Sequence, residues 1–323
     1  MKKYIQCAIY VIVGMMLSNG VNAQDYPDKT KSIKIIVPTG GGSAVDLLSR
    51  SLSKSLSDSQ GINSFIENKP GAELAIGVND LIKSPNDGYT LMVTSSSSQT
   101  LSPVLIPHFK INTIEDYSPV LTISRAGLVM NLGLSTNKMS AKEIIDDAKK
   151  NPGKYTCATA STNQRMACEL LKSTAGIDVL IVPYKTTAAA MTALGGGEVD
   201  IVFVDAGSAR AGWMSGRMRG AAVTTEDRLE IIKDVPTFKE IGVDGFNMFA
   251  WYAIYSPKGV EPTILKKLQD AFIRAKQTED FKQALHKYGM ENLDMRDKEI
   301  DDMTRSEIAR WQKVKQEQKI SLN

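Results

Sequence analysis

Side chains able to do chemistry are sparse in this sequence. It holds two histidines, His108 and His286. Neither has the neighbours, at recognisable spacing, that a metal site or a nucleophilic triad needs. His108 follows Pro107 in a loop and His286 sits in a charged helical segment, so both read as solvated surface residues. No G-x-S-x-G elbow, H-E-x-x-H helix or C-x-x-C pair occurs. Gly40-Gly41-Gly42-Ser43 lacks the Gly-Lys-[Ser/Thr] ending of a phosphate loop. These absences point to a binder that uses no cofactor and no metal, rather than to an enzyme.

What remains is a set of polar loops, each between the end of a strand pattern and the start of a helix pattern. The first runs Pro38-Thr39-Gly40-Gly41-Gly42-Ser43-Ala44-Val45-Asp46. Its glycines let the backbone approach a ligand closely, and the helix that follows begins with N–H groups that lack partners. Such an end attracts a carboxylate by only about 0.3–2 kcal/mol. Micromolar binding requires about 8 kcal/mol, so several loops must cooperate. The plainer reading of this loop is a tight structural turn.

The second loop is Thr94-Ser95-Ser96-Ser97-Ser98-Gln99-Thr100, six hydroxyls around one amide. It can hydrogen-bond an anion or a polar tail, or it is an exposed serine loop. The third lies between Cys157 and Glu169 and holds Ser161, Thr162, Asn163, Gln164 and Arg165. Its arginine either makes a bidentate contact to a carboxylate or caps a surface helix. In open α/β sheets ligands gather beyond the carboxyl ends of strands, where all three loops fall.

The elements that must position these loops alternate between short β-branched runs and amphipathic segments, the pattern of an α/β protein with mostly parallel sheets. Strands are expected at 33–37, 65–67 and 89–94, with helices over 44–56 and 72–82 between them. A second series begins after Ser124. Ser140 and Glu143 form a capping-box pattern ahead of a helix that stops at Asn151-Pro152-Gly153. Strands are expected at 155–158, 179–182, 201–204 and 221–224, then an aromatic-rich one at 249–255. Helices over 262–276, 279–286 and 299 to about 318 close the chain. No fixed-period repeat and no Pro/Gly/Ser linker occurs, so two lobes should share crossover strands.

Residues 1–23 read as a targeting segment. Lys2 and Lys3 precede an apolar run of about 14 residues from Tyr4 to Leu17, and Val21-Asn22-Ala23 offers small residues for cleavage before Gln24. The run falls short of the ~20 residues that span a bilayer. Cleavage leaves enough chain for two domains with real cores. The formal charge of +3 falls closer to zero once those lysines are gone, which gives no reason to expect nucleic acid or a membrane-surface patch. Cys157 and Cys168 either join in an oxidising compartment or are two small buried thiols, the second being the plainer reading.

Several stretches, in this order, carry a resemblance. They are Tyr26-Pro27; Ile35-Ile36-Val37-Pro38 through Asp46 and Arg50; Glu67-Asn68-Lys69-Pro70-Gly71-Ala72 with Ile76-Gly77; and Asp87-Gly88-Tyr89-Thr90-Leu91. Val182-Pro183-Tyr184-Lys185, Gly196-Gly197-Glu198-Val199-Asp200 and Asp234-Val235-Pro236-Thr237 follow. Each is weak singly, but their colinear order is specific. The chain resembles the tripartite tricarboxylate transporter receptors, also called the Bug family of extracytoplasmic solute-binding proteins, over nearly all of its mature length.

The resemblance implies a type II periplasmic-binding-protein fold, a Venus flytrap of two α/β lobes joined by crossover hinge strands. Lobe 1 is then residues 24–124 with 247–323, and lobe 2 is residues 125–246. It implies a monomer in the periplasm that binds a small organic carboxylate, with a two-subunit membrane permease as partner and no nucleic acid. The ligand sites it implies are Thr39 to Ser43 with Asp46, then Ser95, Ser96, Ser97, Ser98 and Gln99 in lobe 1. In lobe 2 they are Ala160 to Arg165, with Asp205 and Ala206; Tyr184 matches a patterned stretch with either a ligand or a structural role. Arg165 is the expected carboxylate anchor of lobe 2. A sensory receptor that feeds a signalling protein through the same cleft is the alternative function. The chain departs from the family where Glu73-Leu74-Ala75 replaces Gly-Gly-Asn and where Ser97-Ser98-Gln99 replaces Gly-Thr-His. The loop after Cys157 is about two residues short and Arg165 stands where His is common, so the ligand's length and polarity do not carry over.

Overall fold

The computed structural model describes residues 26–320, apart from residues 72, 73, 108, 137, 318 and 319. The targeting segment, Glu73 and His108 lie outside the described residues. Strand β1 (Ile33–Val37) buries Ile33, Ile35, Ile36 and Val37 on both of its faces, as a central parallel strand must. It pairs in parallel with β2 (Ser64–Asn68) and β3 (Thr90–Ser95). Parallel neighbours need crossovers, and here these are α1 (Ala44–Gln60) and α2 (Ala75–Ile82). Helix α1 seats Leu48, Leu52 and Leu56 in the core at four-residue spacing. It starts on the Ser43 hydroxyl, which accepts from Asp46 N, and stops at Gly61, whose φ of 66° suits glycine.

The strand that organises the molecule carried no clear sequence signal. β4 (Tyr117–Leu132) runs for 16 residues through Pro119, Ser124 and Gly127. These read as breaks, and Pro119 and Ser124 do lie at register shifts in its pairing. From Tyr117 to Gly127 it pairs antiparallel with β9 (Phe249–Pro257). From Leu128 to Leu132 it pairs instead with β7 (Ile201–Asp205), and from Val129 with β8 (Arg219–Val223). One strand therefore serves two sheets, and the hand-over falls between Gly127 and Leu128. With β5 (Thr156–Thr159) and β6 (Leu180–Pro183), the strand order is β2-β1-β3-β9-β4-β7-β5-β6.

The second series folds as its pattern requires. Ser140 and Glu143 form the capping box of α3 (Ala141–Lys150). Helices α4 (Thr162–Ala175), α5 (Thr187–Gly196) and α6 (Ala206–Trp213) lie between the strands. Cys157 of β5 is bonded to Cys168 of α4, with both sulfurs in the core and Cα atoms 6.3 Å apart. This corrects the reading of two free thiols: β5 and α4 pack at a separation that a disulfide spans.

Three helices follow β9: α7 (Pro262–Lys276), α8 (Glu279–Lys287) and α9 (Asp297–Glu317), with the short β10 (Glu291–Asn292) pairing to β4. Helix α9 ties the two cores together. Its Ile300 packs with Tyr117 and Trp251, whereas Trp311 and Val314 join the cluster around Ile144, Leu171 and Phe203. Among the described residues no helix is long and apolar enough to cross a membrane.

Candidate functional site

A cleft of about 560 Å³ opens where three helices begin. Gly42, Ala44 and Leu47 line it from the start of α1, Thr187 from the start of α5, and Asp205, Gly207 and Ser208 from the start of α6. The opposite wall is Tyr252 of β9 with Lys287 at the end of α8 and Tyr288 and Met290 just after it. The helix starts come from both sides of the β4 hand-over, so the cleft lies between the two halves of the chain.

Each of the three helices has a capped first turn. Ser43 accepts from Asp46 N, Thr186 from Ala189 N, and Asp205 from Ser208 N. One cap satisfies one N–H, and the other first-turn amides keep no intrahelical acceptor. The positive ends of three helix dipoles thus face one space. Lys287 adds a full positive charge, and among the described residues no carboxylate pairs with it. The single carboxylate at the wall, Asp205, is engaged: Oδ1 accepts from Ser208 N at 2.8 Å and Oδ2 from the Ser208 hydroxyl at 2.8 Å. The site is therefore rich in donors and suited to an oxygen-bearing anion.

The glycine loop is held from beneath by Asp46, which is only 2% exposed. Its Oδ2 accepts from Gly42 N at 2.9 Å and Arg50 Nε at 3.0 Å, and its Oδ1 from Asn68 Nδ2 at 2.9 Å. Arg50 Nη2 also lies 2.9 Å from Oδ1. Burial pushes this carboxyl up, but Arg50, the Gly42 amide and Asn68 together hold it below its ordinary value. Gly42, at φ 81°, needs its freedom to turn its amide down onto Asp46. Thr39 and Ser43 share a hydroxyl–hydroxyl bond of 2.7 Å, and Gly40 and Gly41 stand exposed. Asp46 is thus the post that shapes the loop, and Gly42 is the loop residue at the cleft.

The serine loop folds back as a π-helical turn over Ser97–Leu101. Gln99 is fully buried, its Oε1 accepting from the Tyr117 hydroxyl at 2.8 Å and its carbonyl from Thr113 at 2.8 Å. Ser98 bonds to Thr94 and to the Ser95 carbonyl, and Ser96 Oγ accepts from Trp251 N at 3.3 Å. Ser95 and Ser97 stay half-buried. None of these five residues lines the cleft described above; the inward members brace β9 and β4 behind it.

In the third loop Gln164 is buried. Its Oε1 accepts from Ala160 N at 2.6 Å and its Nε2 donates to Thr187 Oγ1 at 3.1 Å, which holds that cleft residue in place. Ser161 caps α4 through Gln164 N, is exposed, and is followed by half-buried Thr162 and Asn163. Arg165 Nε donates to Glu169 Oε1 at 2.8 Å, one helical turn along. Tyr184 packs against the apolar cluster of Val182, Val204 and Ala190, its N–H donating to Thr159 O at 2.7 Å. Ala206 is fully buried behind Asp205.

Sequence reasoning missed Thr187, Tyr252, Lys287, Tyr288 and Met290. Thr187 follows a hydroxyl at a helix start, a signal present in the sequence. Tyr252 reaches the cleft because β9 returns beside β4, and Lys287, Tyr288 and Met290 because the chain after α8 pairs with β4 through β10. There the two halves touch through glycine: a Cβ on Gly289 would lie 2.7 Å from Gly207 N, and one on Gly207 would lie 3.0 Å from Tyr288 O.

Comparison with known proteins fits this architecture. The pattern of the tripartite tricarboxylate transporter family receptor matches residues 48–320. BugT of Bordetella pertussis is 27% identical, covering 96% of this chain and 97% of BugT. A solved periplasmic transporter is 29% identical with a TM-score of 0.78, covering 92% of this chain and 100% of that one. An R. palustris protein solved with adipate has a TM-score of 0.79 at 24% identity, covering 92% of this chain and 99% of that one. The expected type II periplasmic-binding-protein fold is therefore the observed one. The chain belongs to the tripartite tricarboxylate transporter receptor family of solute-binding proteins.

Proposed function

We propose that this chain is a periplasmic receptor that captures a small organic carboxylate between its two lobes and hands it, chemically unchanged, to a two-subunit membrane permease. The observation that carries the reading is the convergence of three helix starts, from both halves of the chain, on one cleft of about 560 Å³. That volume falls in the range of about 300–1,000 Å³ typical of small-molecule sites. Each helix end contributes only about 0.3–2 kcal/mol by its dipole. Hydrogen bonds from amides to a charged acceptor add about 1.5–3 kcal/mol each, so a few of them reach the ~8 kcal/mol of micromolar binding. The adipate held by the R. palustris protein supports the ligand class.

Residues 24–124 with 247–323 act as one lobe and 125–246 as the other, with β4 and β9 as the hinge. A ligand touching both lobes has higher affinity for the closed form and so shifts the population toward it. The amides of Gly40 and Gly41 and the polar groups of Ser161 to Asn163 close over it from opposite sides. A removable leader at 1–23 sends the chain to the periplasm. The receptor works as a monomer, since one chain supplies both walls.

Calorimetric titration with succinate, malate, adipate and citrate tests the reading, with glucose and putrescine as neutral and cationic controls. At least one acid should bind with micromolar or better Kd and the controls should not. Binding of putrescine in preference to every acid would refute it.

A further inference from the structure

We propose that the Tyr252 hydroxyl contacts the bound acid directly, donating a hydrogen bond to one of its oxygens, and so helps to set specificity. This rests on the receptor reading above and adds to it a contact from the hinge. Tyr252 is 7% exposed and lines the cleft. Its hydroxyl makes no hydrogen bond to any described residue. Other buried tyrosine hydroxyls here are partnered: Tyr26 donates to Gly88 O at 2.7 Å, Tyr117 to Gln99 Oε1 at 2.8 Å and Tyr155 to Asp147 Oδ2 at 2.6 Å. Tyr255 also lacks a partner, but its hydroxyl is sealed in the core. A phenol normally finds a partner when it is buried, and at Tyr252, on the cleft wall, that partner is the ligand.

Position strengthens the assignment. Tyr252 pairs across β9 with Ser95 of β3 and Ser124 of β4, at the centre of the sheet where the two halves share strands. A donor there meets the ligand in open and closed forms alike, whereas the α1 and α6 ends meet it together only on closure. Burial, and then the charge of Asp205, push the phenol well above its usual ionisation range, so it stays a donor across neutral pH. Asp205 is already held by Ser208, and a neutral donor beside it balances its repulsion of an incoming anion.

The test pairs calorimetry with thermal unfolding of wild type and Tyr252→Phe, using the same four acids. The variant keeps the ring and its packing, and removes only the hydroxyl. For every acid that wild type binds, affinity should fall about 10- to 100-fold. The ligand-free unfolding midpoint should stay the same or rise, because no protein bond is lost. Equal Kd values in the two proteins overturn the proposal and leave the receptor reading standing. A fall in the ligand-free midpoint that accompanies the affinity loss also overturns it, since the hydroxyl would then be structural. If wild type binds none of the acids, the receptor reading fails and this assignment fails with it.

Discussion

Substituting Asp46→Asn tests the role of that buried carboxylate in shaping the glycine loop. Both of its oxygens accept two donors: Asn68 Nδ2 and Arg50 Nη2 on one, Gly42 N and Arg50 Nε on the other. An asparagine has one accepting oxygen, so either orientation turns its NH2 against two donors. A bond to a charged group contributes about 1.5–3 kcal/mol. The Arg50 share must be discounted, because that side chain is 52% exposed and regains water. What remains is a loss of about 2–4 kcal/mol, read as a lower urea midpoint at unchanged slope. The pH dependence has a definite sign. Asp46 is held below its ordinary value in the folded state, so its stabilisation is whole above the unfolded carboxyl value of about 3.9. It is lost as pH falls through the lower folded value. The gap between wild type and variant should therefore be level from pH 7 down to about 4 and shrink below that. Equal midpoints at pH 7, or a gap that widens on acidification, would refute the reasoning.

Other outcomes follow from the same geometry. Gly289→Ala places a methyl 2.7 Å from Gly207 N, at a φ of 65°. It should keep the lobes from meeting, and X-ray scattering should show no acid-induced compaction; wild-type compaction would contradict this. Replacing Cys157 and Cys168 together with serine should remove about 2–4 kcal/mol of stability. In the native protein the buried sulfurs should resist dithiothreitol until the chain unfolds, and a thermal midpoint unchanged by the double substitution would count against this. Arg165→Ala strips the cation from Glu169, whose side chain is 5% exposed. Urea unfolding should show a loss of about 1–3 kcal/mol, and acid affinity should change less than about threefold. Weaker binding at full stability would instead support Arg165 as the carboxylate anchor.

The parallel units were legible because their signals are local. Leucines at four-residue spacing mark α1, Ser140 and Glu143 mark the start of α3, and Pro262 marks that of α7. β4 was not legible, because it passes through Pro119, Ser124 and Gly127 and gains its pairing from β9, more than 100 residues away in sequence. The serine loop shows the limit of composition as a guide. Its hydroxyls look like an open anion grip, yet Ser98 and Gln99 are turned inward by partners at Thr94, Thr113 and Tyr117. Tyr252 shows the reverse case: in an aromatic-rich strand it reads as core, and only the return of β9 beside β4 brings it to the cleft. Asp46 was visible as a member of the glycine loop, but its support from Asn68 and Arg50 depends on how β2 lies beside β1.

Native mass spectrometry of the protein as purified tests the central claim most directly. The account predicts one small organic acid per chain, released unchanged on denaturation and displaced by an excess of a tighter-binding acid. A stably bound cation or neutral molecule in its place, or an adduct whose mass shows that the ligand has been chemically altered, would contradict it.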